Sequence, residues 1–144
     1  MKRALIASIP AALFVAGFIV HEVAAAPPAR GLGPGAATVS GTVTMRERAE
    51  LPGMAMVHVE LIDISGKDVR TAMIGDQTIW TAWVPMPVRY RIEYDPLQID
   101  PKHVYVVRAR IMDGEKVLFM STTPYYVLTQ GNPSTANIVV APAR

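Results

Sequence analysis

Between Val88 and Tyr94 the chain reads VRYRIEY, and its character changes at every residue. Val88, Tyr90, Ile92 and Tyr94 form an apolar set, and Arg89, Arg91 and Glu93 a charged one. A period of two places successive side chains on opposite faces of a strand, so this stretch predicts a half-buried β-strand. The same phase runs back through Val84 and Met86. Pro85 and Pro87 lack N–H groups on one side of that extension, which confines the strand's first half to a sheet edge.

The alternation recurs along the chain. Val39, Gly41, Val43 and Met45 oppose Ser40, Thr42, Thr44 and Arg46. Val57, Val59 and Leu61 oppose His58 and Glu60, after which Ile62 and Ile64 break phase and predict a bulge. Tyr105, Val107, Ala109 and Ile111 oppose Arg108 and Arg110. AMIGDQTIWTAW is a less regular strand, and KVLFMST, YYVLTQ and ANIVVA are short ones. The turn signals LPG, SGKD, Asp113-Gly114 and GNP separate these runs. A series of seven to eight short strands with regular turns predicts an all-β fold. The architecture expected is a single antiparallel β-sandwich over residues 38–144.

The N-terminus has a different texture. MKR followed by the apolar residues 4–20 and then HEVAAA has the order of a signal peptide, residues 1–25. Cleavage between Ala25 and Ala26 puts Val23 and Ala25 at the small-residue positions and keeps Pro27 off the first mature position. As a helix the apolar run would reach roughly 25 Å, short of a hydrocarbon core of about 30 Å, and Pro10 weakens it further. A cleaved signal is therefore expected rather than an anchor, with no integral membrane span in the mature chain. Residues 26–37, APPARGLGPGAA, read as a flexible Pro/Gly/Ala linker. The mature product is expected to be soluble in the periplasm or the medium.

Composition narrows the chemistry. With no cysteine there is no disulfide, no thiolate nucleophile and no lipid attachment at residue 26. The formal net charge is +2 with no run of Lys or Arg, so no nucleic-acid partner is expected. His58 and His103 are the only mature histidines and fall on different segments, without the further ligands a metal site needs. No nucleophile, phosphate-loop or dinucleotide motif is present. The expectation is a non-enzymatic protein with no metal and no cofactor.

Three groups remain. In DPLQIDPKH, Asp95, Asp100, Lys102 and His103 resemble an acid–base cluster. Each aspartate precedes a proline, however, which favours local caps in a stiff corner. Arg89, Arg91, Arg108 and Arg110 would stand together on one outer face if their strands pair, with Glu60 and Glu93 as partners. Trp80 and Trp83, beside Met86, would either lid the core or anchor a partner.

Taken together, VSGTVTMRERAELPGMAMVHVELIDIS, YDPLQIDPKHVYVVRARI with its DG hairpin, and VLTQGNP resemble the YbaY/YscW family of bacterial lipoproteins, over residues 38–141. The resemblance implies a compact β-sandwich on the periplasmic side of the outer membrane. One branch of that family serves as pilotin for the secretin ring of type III secretion systems, carrying a lipidated Cys that this chain lacks. The implied role is a small chaperone or accessory factor for an envelope protein such as a secretin-like outer-membrane protein. The alternative is a glycan- or lipid-binding envelope protein that uses the arginine face.

Overall fold

The computed structural model describes residues 35–67, 72–82 and 84–144. The signal segment, its Ala25/Ala26 junction, most of the linker and Trp83 lie outside the described residues. Eight strands follow in order: β1 (Ala37–Met45), β2 (Ala55–Asp63), β3 (Met73–Trp80), β4 (Val88–Tyr94), β5 (Tyr105–Asp113), β6 (Lys116–Ser121), β7 (Tyr125–Val127) and β8 (Thr135–Pro142). In β4 the four apolar residues are buried and the three charged ones exposed, as the period of two requires. The strand starts at Val88, so Pro85 and Pro87 precede the ladder instead of occupying it. Its edge position holds, because β4 is the last strand of the hydrogen-bonded order.

That order is β3-β2-β5-β6-β8-β1-β4, with β7 also on β5. It is one continuous sheet, which corrects the expected sandwich: the sheet curls until its two ends approach and forms an almost closed barrel. At the seam Gln77 Oε1 accepts the Arg91 backbone N–H at 2.6 Å, so a side chain stands in for a ladder bond between β3 and β4. Gly75 makes the approach possible, since a Cβ there would lie 2.8 Å from Ile92 Cγ2. A twisted eight-stranded sheet can curl this far because a barrel of that size is just filled by its own side chains. Curling also disposes of the exposed edges that two separate sheets would keep. The pairing is not wholly antiparallel either, since β8 runs parallel to β1.

Inside, Val39, Val43, Val57, Val59, Leu61, Val107 and Ile138 are essentially inaccessible to solvent. Each such side chain contributes about 1.5–3 kcal/mol relative to exposure. A polar contact crosses this interior between described residues. The Tyr90 hydroxyl donates to the Ala136 carbonyl oxygen at 2.8 Å, passing over Gly41, the residue both oppose in register. A Cβ on Gly41 would lie 1.8 Å from that oxygen, so no other residue fits there. Burial pushes the Tyr90 phenol above its ordinary value of 10.0.

The DPLQIDP corner is held by local caps. Asp95 accepts the Leu97 N–H at 2.9 Å and caps a single 3-10 turn, Pro96–Gln98. Asp100 accepts the Lys102 N–H at 2.8 Å, and the Tyr105 hydroxyl accepts the Asp100 N–H at 2.9 Å. The hairpin joining β5 to β6 turns at Gly114 and Glu115, one residue later than the Asp113-Gly114 signal suggests, because Asp113 still pairs with Lys116. Gly114 supplies the positive φ of 58° that this loop needs.

Candidate functional site

Alternation that fills the barrel necessarily sends the other half of each strand outward. On the outer face of β3, β2 and β5 the register arranges those residues in rows. Trp80, Met56 and Met112 form one apolar row, and Met73, Ile62, Val106 and Tyr126 another. Between them run Thr78, His58, Arg110 and Met120, then Asp76, Glu60 and Arg108. This face thus carries a charged band between two apolar margins.

Glu60 is the centre of the band. It points outward, as its phase requires, yet it is only 6% exposed. Arg108 donates Nε–H to Oε2, Arg110 donates from Nη2 to Oε1 at 2.7 Å, and His58 Nε2 lies 3.1 Å from Oε1. The other ring nitrogen of His58 is 2.9 Å from Thr78 Oγ1. Burial by itself would raise the Glu60 carboxyl. The Arg108 hydrogen bond and the charges of Arg108, Arg110 and His58 outweigh that and hold it below its ordinary value of 4.5.

The four arginines do not share one face. The strands β4 and β5 do not pair; in the nearly closed sheet β3 and β2 lie between them. Arg89 and Arg91 are exposed beside Thr42 and Ser40 of β1, whereas Arg108 and Arg110 close on Glu60. Glu93 is exposed on β4, away from that cluster. The condition for a shared face, pairing of the two strands, is not met, because alternation fixes which face a residue occupies but not which strand lies next to it.

His103 also finds a partner that the sequence conceals. Its Nδ1 lies 2.6 Å from Asp63 Oδ2, and its carbonyl accepts the Thr129 hydroxyl at 2.6 Å. Asp63 in turn accepts the Ser65 N–H at 2.8 Å. Burial tends to raise the Asp63 carboxyl, but the bonds from Ser65 and His103 leave it below its ordinary value of 3.8. These bonds tie the end of β2 to the loop before β5. Among the described residues no group of three or more His, Asp or Glu is placed to hold a metal ion.

A second feature lies at the barrel end where β1 and β3 finish and β2 and β4 begin. A cleft of about 490 Å³ there is lined by Met45, Leu51, Val84, Pro85 and Met86, with Arg48 and Glu50 at its rim. Met45, Leu51 and Met86 also pack against the core, so the cleft is an opening onto apolar interior. Met54 and Trp80, exposed at 64% and 55%, stand near this end of the barrel. Pro85, one of the two prolines read as edge protection, forms part of this wall. Its role as a wall is not visible to pattern reading, because residues 45–51 and 84–86 are distant in sequence.

Comparison with known proteins now has a structure to rest on. Residues 34–140 match the family described as "Type III secretion system lipoprotein chaperone (YscW)", and the chain belongs to that family. The uncharacterized lipoprotein YbaY of Escherichia coli (strain K12) is 26% identical over 106 residues. That alignment covers 74% of this chain and 55% of YbaY, so the match spans about half the length of that relative. Among solved structures, an alternative pilotin from the type II secretion system of Vibrio cholerae superposes with a TM-score of 0.70 at 30% identity. It covers 76% of this chain and 98% of the pilotin chain.

Proposed function

We propose that this protein is an exported, non-enzymatic accessory factor of the cell envelope that binds an outer-membrane protein of the secretin type. The observation that carries the reading is the match to a pilotin over 98% of its length. The family description as a lipoprotein chaperone supports it. In this reading residues 1–25 are a signal peptide cut between Ala25 and Ala26, residues 26–37 are a linker, and the barrel works in the periplasm or outside the cell. The cleft of Met45, Leu51 and Met86 receives an apolar segment of the partner. Methionine side chains suit that task because they repack around irregular surfaces, while Arg48 and Glu50 at the rim would orient the segment.

Affinity capture from envelope extracts with the mature protein as bait tests this. A secretin-type protein should be retained by the wild type and lost with Val84→Glu, a charge placed on the exposed wall of the cleft, while the melting temperature of the variant stays close to wild type. Recovery of polysaccharide or lipid alone would overturn it. The glycan- or lipid-binding alternative is weakened by the separation of the two arginine pairs, which do not form one cationic face among the described residues.

A further inference from the structure

The pairing along β5 has a gap. On one side β5 pairs with β2 along its whole length. On the other, β6 pairs with Arg110 to Asp113 and β7 with Tyr105 to Val107, leaving Arg108 and Ala109 without a strand partner. The residues between β6 and β7, Thr122 to Pro124, border this gap, and the Ala109 N–H is met by the Ser121 hydroxyl at 3.2 Å. The gap opens on a cleft of about 340 Å³ whose lining includes Ile62, Val106 and Met120 as apolar surface, Ser121 and Thr122 as hydroxyls, and both Arg108 and Arg110. It lies on the outer face, along β5, and shares no lining residue with the methionine cleft at the barrel end.

The guanidinium groups here exceed what Glu60 can use. One carboxylate faces two arginines, and it engages Nε of Arg108 and Nη2 of Arg110. Both Nη groups of Arg108 and the remaining Nη of Arg110 have no hydrogen-bond partner among the described residues. The Nε–H of Arg110 is buried and unpartnered as well. A buried unpaired donor on a charged group is costly, so folds rarely retain one without a use. Asp76, the other carboxylate of the band, lies toward His58 on β3, so Glu60 is the one carboxylate that the two guanidiniums engage. Two planar forks at the mouth of a partly apolar cleft form a receptor for a second, external carboxylate.

We propose that this cleft binds a peptide carboxylate flanked by an apolar side chain, with Arg108 and Arg110 holding the anion and Ile62, Val106 and Met120 receiving the apolar group. The hydroxyls of Ser121 and Thr122 are placed to meet the peptide's amide. A volume at the low end for ligand sites suits one residue of a peptide rather than a long acyl chain. The inference does not depend on the function proposed above, since it concerns a different cleft and a different chemistry.

The test is a nuclear magnetic resonance titration of the 15N-labelled mature protein, following the Arg108 and Arg110 Nε–H signals and the amides of Ala109 and Ser121. The probes are N-acetyl-leucine, its neutral amide N-acetyl-leucinamide, hexanoate and inorganic phosphate. N-acetyl-leucine should shift these signals saturably in the millimolar range, as expected for so small a ligand. The amide should fail, and hexanoate and phosphate should bind several-fold more weakly. Arg110→Gln should weaken the N-acetyl-leucine response about tenfold or more, while Arg91→Gln leaves it unchanged. Equal responses to phosphate or hexanoate would overturn the proposal, because a bare anion or a simple amphiphile would then suffice. So would a response to N-acetyl-leucinamide, or none to N-acetyl-leucine.

Discussion

Arg89 and Arg91 on β4, and Arg108 and Arg110 on β5, are the same pattern written twice: two guanidiniums two residues apart on the outer side of a strand whose inner side is apolar. Their surroundings differ entirely. On β5 the pair sits inside the sheet, beside β2, where Glu60 is buried between them and His58. On β4 it sits at the end of the sheet, beside the short hydroxyl side chains of Ser40 and Thr42, which neither reach nor cover it. One pair is therefore part of a desolvated polar network and the other is a solvated face. The difference comes from the neighbouring strand, not from the arginines.

The comparison can be strained first where the two strands should be alike. Ile92 and Ile111 are the buried inward neighbours of the two pairs, each about 1% exposed or less. Ile92→Ala and Ile111→Ala should each cost about 2–5 kcal/mol through lost burial and a cavity, read from denaturant midpoints. A cost confined to one strand would show that the inner faces are not equivalent. The strands should then diverge on the outside. Glu60→Gln leaves two guanidiniums facing a neutral amide and should cost about 1–3 kcal/mol, discounted because both arginines are a third or more exposed.

The same variant has a signature in pH. Both Glu60 and Asp63 titrate below their ordinary values, so their stabilisation is complete above those values and is lost as pH falls through the folded ones. Wild-type stability should be level from neutral to about pH 5 and fall below it. In Glu60→Gln the acid limb should be shallower, with Asp63 supplying what remains. An unchanged acid limb would remove Glu60 from the account. Next in size, Arg110→Ala should cost about 1 kcal/mol by removing one of the two guanidiniums bonded to the buried carboxylate. Smallest, Arg89→Ala and Arg91→Ala should fall within about 0.5 kcal/mol of wild type. If they cost as much as Arg110→Ala, the two pairs do not differ in the way described.

The arginines also mark how far the sequence could be read. Inward and outward sides of β1, β2, β4 and β5 were legible because they depend on a local period. The caps of Asp95 and Asp100 were legible because proline restricts its neighbour within one residue. Closure into a barrel was not, since it depends on Gln77 reaching Arg91 and on Gly75 yielding to Ile92, contacts without any local signature. Nor was the burial of Glu60, which follows from which strands flank it. The parallel pairing of β8 with β1 and the walls of both clefts are nonlocal in the same way.

That parallel pairing governs when the molecule can be finished. Thr42 and Asn137, whose side chains bond at 3.0 Å, are 95 positions apart, and β8 alone links β6 to β1. Contacts of such separation are entropically late. A chain delivered N-terminus first presents β1 long before β8 can reach it, and in that interval β1 has β4 on one side and open backbone groups on the other. Such an edge invites pairing with other chains. The period of exposure ends when Ala136 comes within reach of the Tyr90 hydroxyl, so the final segment of the chain decides how long the protein is vulnerable to aggregation.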